Sequence, residues 1–149
     1  MASKIAPFPH VYTVALEDRQ LLAPPRAPIA AGPPPQFGGS DAVWSPEELL
    51  VASALECLWT TFEAYARHDQ LEVVRFAGKG TAVLDRGPGI PVFTSLALHV
   101  DLEVHAGDEA RARALLETAE SKCIISNVLK VRVTLDVSVH AGDALAQSA

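Results

Sequence analysis

The chain has 149 residues, of which 49% are hydrophobic and 20% charged, a composition typical of one globular domain. Twelve lysines and arginines against 18 aspartates and glutamates give a net charge of −6, without a basic stripe that could contact nucleic-acid phosphates. Two cysteines are too few for a secreted disulfide scaffold, and no apolar run reaches the roughly 20 residues that cross a bilayer. We therefore expect a cytoplasmic protein without a nucleic-acid or membrane partner.

The N-terminal part, residues 1–44, is predicted to contain one strand, at residues 11–16, followed by a proline-rich loop. Six of the eleven prolines lie at residues 24–35. Each proline fixes φ and removes an N–H donor, so this stretch cannot form a helix or a central strand. A flexible linker is the alternative, but the segment before it is too short for a domain. We therefore predict a long loop that wraps a single domain spanning residues 1–149.

A long helix is predicted to begin at residue 45. Ser45 is suited to the N-cap, Pro46 to the first helical position, and a glutamate follows three residues after the cap, which together form a capping box. The first half of this helix is apolar on nearly every side, and such a helix is buried all round. One sheet face covers about half of it, so a second copy of the chain or the proline-rich loop must cover the rest. We favour a twofold homodimer.

The C-terminal half of the sequence predicts a sheet and two further helices. Residues 92–104 and 131–139 alternate strictly between apolar and polar, as half-buried antiparallel strands do. Residues 71–76 and 80–84 suggest two more strands that turn around Gly78. Between the alternating strands, Asp108 and Ser121 can each cap a helix. The predicted fold class is α+β, an antiparallel sheet packed on a long buried helix, with a frayed tail at residues 140–149.

The two cysteines are the main candidates for chemistry. Cys57 is predicted in the middle of the long helix, and Cys123 in the first turn of its own helix. Because a helix N-terminus stabilises a thiolate, we expect a lowered pKa for Cys123. Cys57 has no such help from its own helix, so any activation of its thiol must come from a distant arginine, lysine or histidine. Taken alone, two cytosolic cysteines are most often inert, small apolar residues. Neither has the neighbours of a metal site, so no metal ligand is predicted.

Two segments around these cysteines carry a resemblance. Residues 45–50 read S-P-E-E-L-L and lead through a small-residue apolar helix to Cys57, and residues 122–130 read K-C-I-I-S-N-V-L-K. Together they resemble the OsmC/Ohr family, the osmotically inducible and organic hydroperoxide resistance proteins, whose second-cysteine segment is C-P-x-S-x-V-L-K. The resemblance covers residues 37–139. It implies a single OsmC-like domain in an intertwined homodimer.

The resemblance also implies a thiol-dependent peroxidase of the stress response. Cys57 would attack an organic hydroperoxide and become a sulfenic acid, and Cys123 would resolve it to a disulfide. An external dithiol, lipoyl-type in the family, would reduce the disulfide, with no bound cofactor. Glu47 matches the family glutamate that orients an arginine. Ten residues of helix rise by ~15 Å, so Glu47 would serve the Cys57 of a partner chain, or else it is a capping-box glutamate.

The sequence departs from the family pattern at the arginine. In one branch an arginine precedes the Phe-x-Gly segment, where this chain has Gln36, and Ile124 replaces the proline after the second cysteine. Arg19 and Arg26 are the arginines that could substitute, and we select Arg26 because its loop could reach a partner. The departure keeps an alternative function open, a non-catalytic OsmC-like stress protein that binds a small apolar ligand or senses thiol redox state.

Overall fold

The computed structural model describes residues 6–142, and these fall into two compact units, Met1–Glu48 and Leu49–Ala149. The first unit holds a small antiparallel sheet of strands β1 (Ala15–Glu17), β2 (Gln20–Leu22) and β3 (Ile29–Ala30), in that order. The predicted N-terminal strand therefore starts later than residue 11. The proline-rich segment supplies only the two-residue edge strand and a 3-10 turn, Pro35–Phe37, which agrees with the exclusion of proline from central strands. A single domain over residues 1–149 stays a prediction.

Helix α1 (Pro46–His68) begins with the predicted capping box. The Glu48 N–H donates to Ser45 Oγ at 3.1 Å, and the Ser45 N–H donates to Glu48 Oε2 at 2.9 Å. Two N–H groups that a helix start leaves open are thereby satisfied. The capping glutamate is Glu48, so a capping role for Glu47 is excluded.

The second unit contains one three-stranded sheet, β4 (Val73–Asp85), β5 (Val92–Val104) and β6 (Val133–Ala141), with helices α2 (Glu109–Lys122) and α3 (Ile124–Val128) between β5 and β6. Strands β4 and β5 pair antiparallel as predicted. Strand β6 pairs parallel to β5, because the two helices return the chain to the end where β5 begins. The α+β class is confirmed, while the antiparallel pairing holds for only one of the two strand pairs.

Two further boundaries differ from the sequence prediction. Strand β4 is continuous, with no turn at Gly78. A Cβ on Gly78 would lie 2.7 Å from Leu55 Cδ1, and one on Gly80 would overlap Val51 Cγ1. These glycines therefore allow close approach of α1 to the sheet. Strand β6 continues through Ala141, so the start of the predicted tail is a strand; residues 143–149 of that tail lie outside the described residues.

The core lies between one stripe of α1 and one face of β5. The helix contributes every fourth residue to it, β5 contributes its even-numbered positions from residue 96 onward, and Leu71 and one face of α2 complete it. The fully or nearly fully buried members are Ala54, Leu58, Phe62, Ala66, Leu71, Leu96, Leu98, Val100, Leu102, Val104, Ala112, Leu116 and Ala119. Other apolar side chains of α1, among them Leu50, Leu55 and Trp59, are only partly buried. Burial of these remaining sides of α1 by a second copy of the chain stays a prediction. Across residues 6–142, no helix combines the length and apolarity needed to span a membrane.

Candidate thiol site

The second unit brings the two cysteines together. Cys57, on α1, and Cys123, between α2 and α3, are both free thiols. Their thiols lie close enough for Cys57 to raise the pKa of the Cys123 thiol. Cys57 is partly exposed, whereas Cys123 is completely buried. Cys57 is therefore the more accessible residue of the pair, and Cys123 has no exposed surface.

The backbone around Cys123 is held by hydrogen bonds on both sides. Its N–H donates to the Glu120 carbonyl at 3.1 Å, and its carbonyl accepts from Asn127 Nδ2 at 2.7 Å. Its Sγ caps α3 by accepting from the Ser126 N–H at 3.5 Å. The predicted cap, Ser121, lies instead inside the last turn of α2, where its hydroxyl donates to the Thr118 carbonyl. The short break between α2 and α3 therefore fixes where the Cys123 thiol points.

The pKa of Cys123 shifts in the direction opposite to the sequence prediction. Burial raises the pKa of the Cys123 thiol, and the hydrogen bond with Cys57 raises it further, while the hydroxyl and N–H of Ser126 offset part of the rise. Complete burial removes the water that would solvate a thiolate. Helix α3 has only five residues, so its dipole is too small to compensate. Cys123 is therefore protonated at neutral pH, and the prediction of a lowered pKa is wrong.

The structure of the single chain does not bring Glu47 and Arg26 together. Glu47 Oε2 is buried and has no hydrogen-bond partner within residues 6–142. Arg26 is exposed, and its guanidinium donates to the Ala23 carbonyl at 3.4 Å. Arg19 is also exposed, at the tip of the β1–β2 hairpin with a φ of 62°. The catalytic roles of Glu47 and Arg26 stay predictions.

Two residues next to Cys123 were not singled out by the sequence. Burial raises the pKa of the Glu120 carboxyl, and the neighbouring Ser126 hydroxyl offsets part of that rise. Both residues also line a cavity of about 420 Å³, together with Lys130 and Arg132. Ser126 occupies the serine position of the second-cysteine segment and could have been found there. Glu120 precedes that segment on α2, and no pattern in the sequence marks it.

Known proteins resemble this chain in sequence profile and in fold. The family of OsmC-like proteins matches residues 38–138. No curated protein sequence matches the chain. An OsmC-like protein of unknown function from Vibrio cholerae has 17% identity and a TM-score of 0.72, covering 80% of this chain and 82% of its own.

Two other solved structures are described as organic hydroperoxide resistance proteins. The one from Legionella pneumophila has 19% identity and a TM-score of 0.65, over 88% of this chain and 98% of its own. The one from Elizabethkingia anophelis has 17% identity and a TM-score of 0.68, over 91% of this chain and 100% of its own. At these identities the structures establish the shared fold. With the match to residues 38–138, they show that this chain belongs to the OsmC-like protein family.

Proposed function

We propose that this protein acts in peroxide stress as a thiol-dependent peroxidase that reduces organic hydroperoxides to alcohols. The observation that carries the proposal is the proximity of the half-buried Cys57 to the buried Cys123, whose pKa it raises. Membership of the OsmC-like family and the fold shared with organic hydroperoxide resistance proteins support it. In this proposal Cys57 attacks the peroxide and Cys123 resolves the product.

The proposed cycle has three balanced steps. The Cys57 thiolate attacks a peroxide oxygen, so an S–O bond forms, the O–O bond breaks, and the alkoxide leaves as the alcohol after taking up a proton. Cys123 sulfur then attacks the Cys57 sulfenic acid, so an S–S bond forms and water leaves. An external dithiol reduces this disulfide by two exchanges and is itself oxidised. Because the part of α1 that surrounds Cys57 is apolar, we expect apolar hydroperoxides to be preferred.

A Cys57→Ser variant should consume hydroperoxide only at the uncatalysed rate. The test follows loss of tert-butyl and cumene hydroperoxide with a dithiol reductant, comparing wild type with this variant. Ser53→Ala is the matched control, because Ser53 is exposed one turn earlier on α1 and its hydroxyl donates only to the Leu50 carbonyl. The control should retain the wild-type rate. Equal rates for wild type and Cys57→Ser would overturn the proposal.

The proposal includes a homodimer. Apolar side chains of α1 are only partly buried in the single chain, and the first unit exposes several large ones, including Phe8, Val11 and Tyr12. A second copy would cover such surfaces, as obligate interfaces are apolar. It would also give the buried, unpartnered Glu47 Oε2 a source of cationic groups. A native mass near 15.8 kDa, that of one chain, would contradict the dimer.

Within that dimer, Arg26 is proposed as the cation that stabilises the attacking thiolate. An Arg26→Ala variant should then slow peroxide-dependent oxidation of Cys57 by about 100-fold, because a positioned donor to the developing charge is lost. Arg19→Ala is the matched control, since it removes the same charge from another exposed position of the same unit. The rate is measured from loss of the Cys57 thiol after mixing with peroxide. Equal effects of the two variants would remove Arg26 from the site.

Gln36 favours a second candidate function. It stands in the Pro35–Phe37 turn, at the position where one family branch has arginine. Without that cation the thiolate is less stabilised, and the thiol pair would be oxidised slowly. The protein would then sense thiol redox state, or bind a small apolar ligand, without turnover. Disulfide formation with no catalytic consumption of hydroperoxide would favour this candidate over the peroxidase.

A further inference from the structure

The resolving step poses a problem of proton transfer at Cys123. The thiol is completely buried and its pKa is raised, so the nucleophilic thiolate is scarce at neutral pH. Water cannot take the proton directly from a side chain with no exposed surface. Of the side chains that interact with this sulfur, Cys57 is the one under attack, and the other belongs to Ser126.

Ser126 and Glu120 lie next to Cys123 in the chain fold, and each has a buried side-chain oxygen. The Ser126 N–H donates to Cys123 Sγ at 3.5 Å, and the Glu120 carbonyl accepts the Cys123 N–H at 3.1 Å. Ser126 Oγ and Glu120 Oε2 are both buried, and neither makes a hydrogen bond of ordinary geometry within the described residues. The Ser126 hydroxyl is nevertheless close enough to lower the pKa of the Glu120 carboxyl. A hydroxyl between a thiol and a carboxyl can pass a proton from one to the other.

The far side of this group opens to solvent. Glu120 and Ser126 line the cavity of about 420 Å³, whose other charged members are Lys130 and Arg132. Burial opposes ionisation of the Glu120 carboxyl, and the Ser126 hydroxyl offsets part of that effect. Water in the cavity can exchange a proton with Glu120. The cavity therefore supplies the exit that the buried thiol itself lacks.

We propose that Ser126 and Glu120 form a proton relay that activates Cys123 for attack on oxidised Cys57. This inference rests on the resolving step of the proposed function. The Cys123 proton passes to Ser126 Oγ while the serine proton passes to the Glu120 carboxylate. The S–S bond forms as the S–O bond of the sulfenic acid breaks, and the released hydroxide takes up a proton and leaves as water. Ser126 touches the reacting sulfur, and Glu120, acting through Ser126, is a positioning residue.

A neutral aromatic disulfide, 4,4′-dithiodipyridine, tests the relay without any peroxide. Attack by Cys57 releases a first equivalent of thiopyridone, and attack by Cys123 on the mixed disulfide releases a second. Ser126→Ala and Glu120→Gln should leave the first phase unchanged and slow the second by about 100-fold, the scale of general acid–base catalysis. Ser126→Thr, which keeps the hydroxyl, should restore most of the rate. Ser121→Ala, at another residue of the same cavity, is the control and should match wild type.

The pH profile separates proton transfer from a merely structural role. In wild type the second phase should fall as pH falls and Glu120 becomes protonated, beginning above the usual carboxyl range because burial raises its pKa. In Glu120→Gln the rate of the second phase should no longer show this fall. Its pH dependence should follow the ionisation of the Cys123 thiol alone. If both variants keep the wild-type rate of the second phase, the relay is wrong. It is also wrong if the variants slow both phases equally. If only peroxide consumption fails, the peroxidase is wrong and the relay still stands.

Discussion

A Cys123→Ser variant should reduce one equivalent of hydroperoxide per chain and then stall. Cys57 can still attack the peroxide, but the sulfenic acid then has no neighbouring sulfur to attack it. Steady-state turnover with a dithiol should fall to the slow rate at which that dithiol itself reaches the partly buried Cys57. The measurements are the burst amplitude after rapid mixing and the mass of the dimedone adduct, which is expected on Cys57 alone.

Serine is the suitable replacement because it preserves the local structure. Cys123 caps α3 through its side chain, and serine is among the preferred capping residues. The variant should therefore unfold at nearly the same denaturant concentration as reduced wild type, which is the control. Undiminished turnover would show that Cys123 does not resolve the sulfenic acid. Loss of the first equivalent as well would show that Cys123 is needed for the attack on the peroxide.

The sequence predicted those parts of the fold that depend on local signals. The start of α1 follows from Ser45, Pro46 and Glu48, whose capping interactions span three residues. Strand β5 matches residues 92–104 because its apolar residues alternate. Alternation reports which face a residue occupies and carries no information about strand direction, so the parallel pairing of β6 was missed. The sequence predicts a turn at Gly78 because it cannot show the helix side chain that packs against this residue.

The candidate site shows the same division between local and tertiary information. The positions of Cys57 and Cys123 were expected to matter, but only through a family resemblance, since spacing alone does not place two distant thiols in contact. The pKa of Cys123 was predicted in the wrong direction because the sequence shows a helix start and conceals complete burial. Glu120 was missed for the same reason. Its link to the site depends on the break between α2 and α3, which leaves the Ser126 hydroxyl close to its carboxyl.

A Phe62→Ala variant should lose about 3–5 kcal/mol of unfolding free energy, the usual cost of deleting a large buried aromatic side chain. Phe62 is completely buried on the core stripe of α1. Its ring centroid lies 6.3 Å from that of Trp59 and 6.2 Å from that of Phe76, so alanine would leave a cavity beneath both rings. The thermal midpoint should fall by roughly 10 °C or more. Urea unfolding of the reduced protein measures the loss.

The adjacent residue provides the matched control for this prediction. Glu63 forms an exposed i,i+4 ion pair with Arg67 at 3.1 Å, so Glu63→Ala should cost only about 0.3–0.5 kcal/mol. Phe62→Leu should fall between the two variants, because a smaller cavity costs less. All variants are compared at one protein concentration, since the proposed dimer makes apparent stability depend on concentration. Losses of similar size for Phe62→Ala and Glu63→Ala would show that the α1 stripe does not form the core of the second unit.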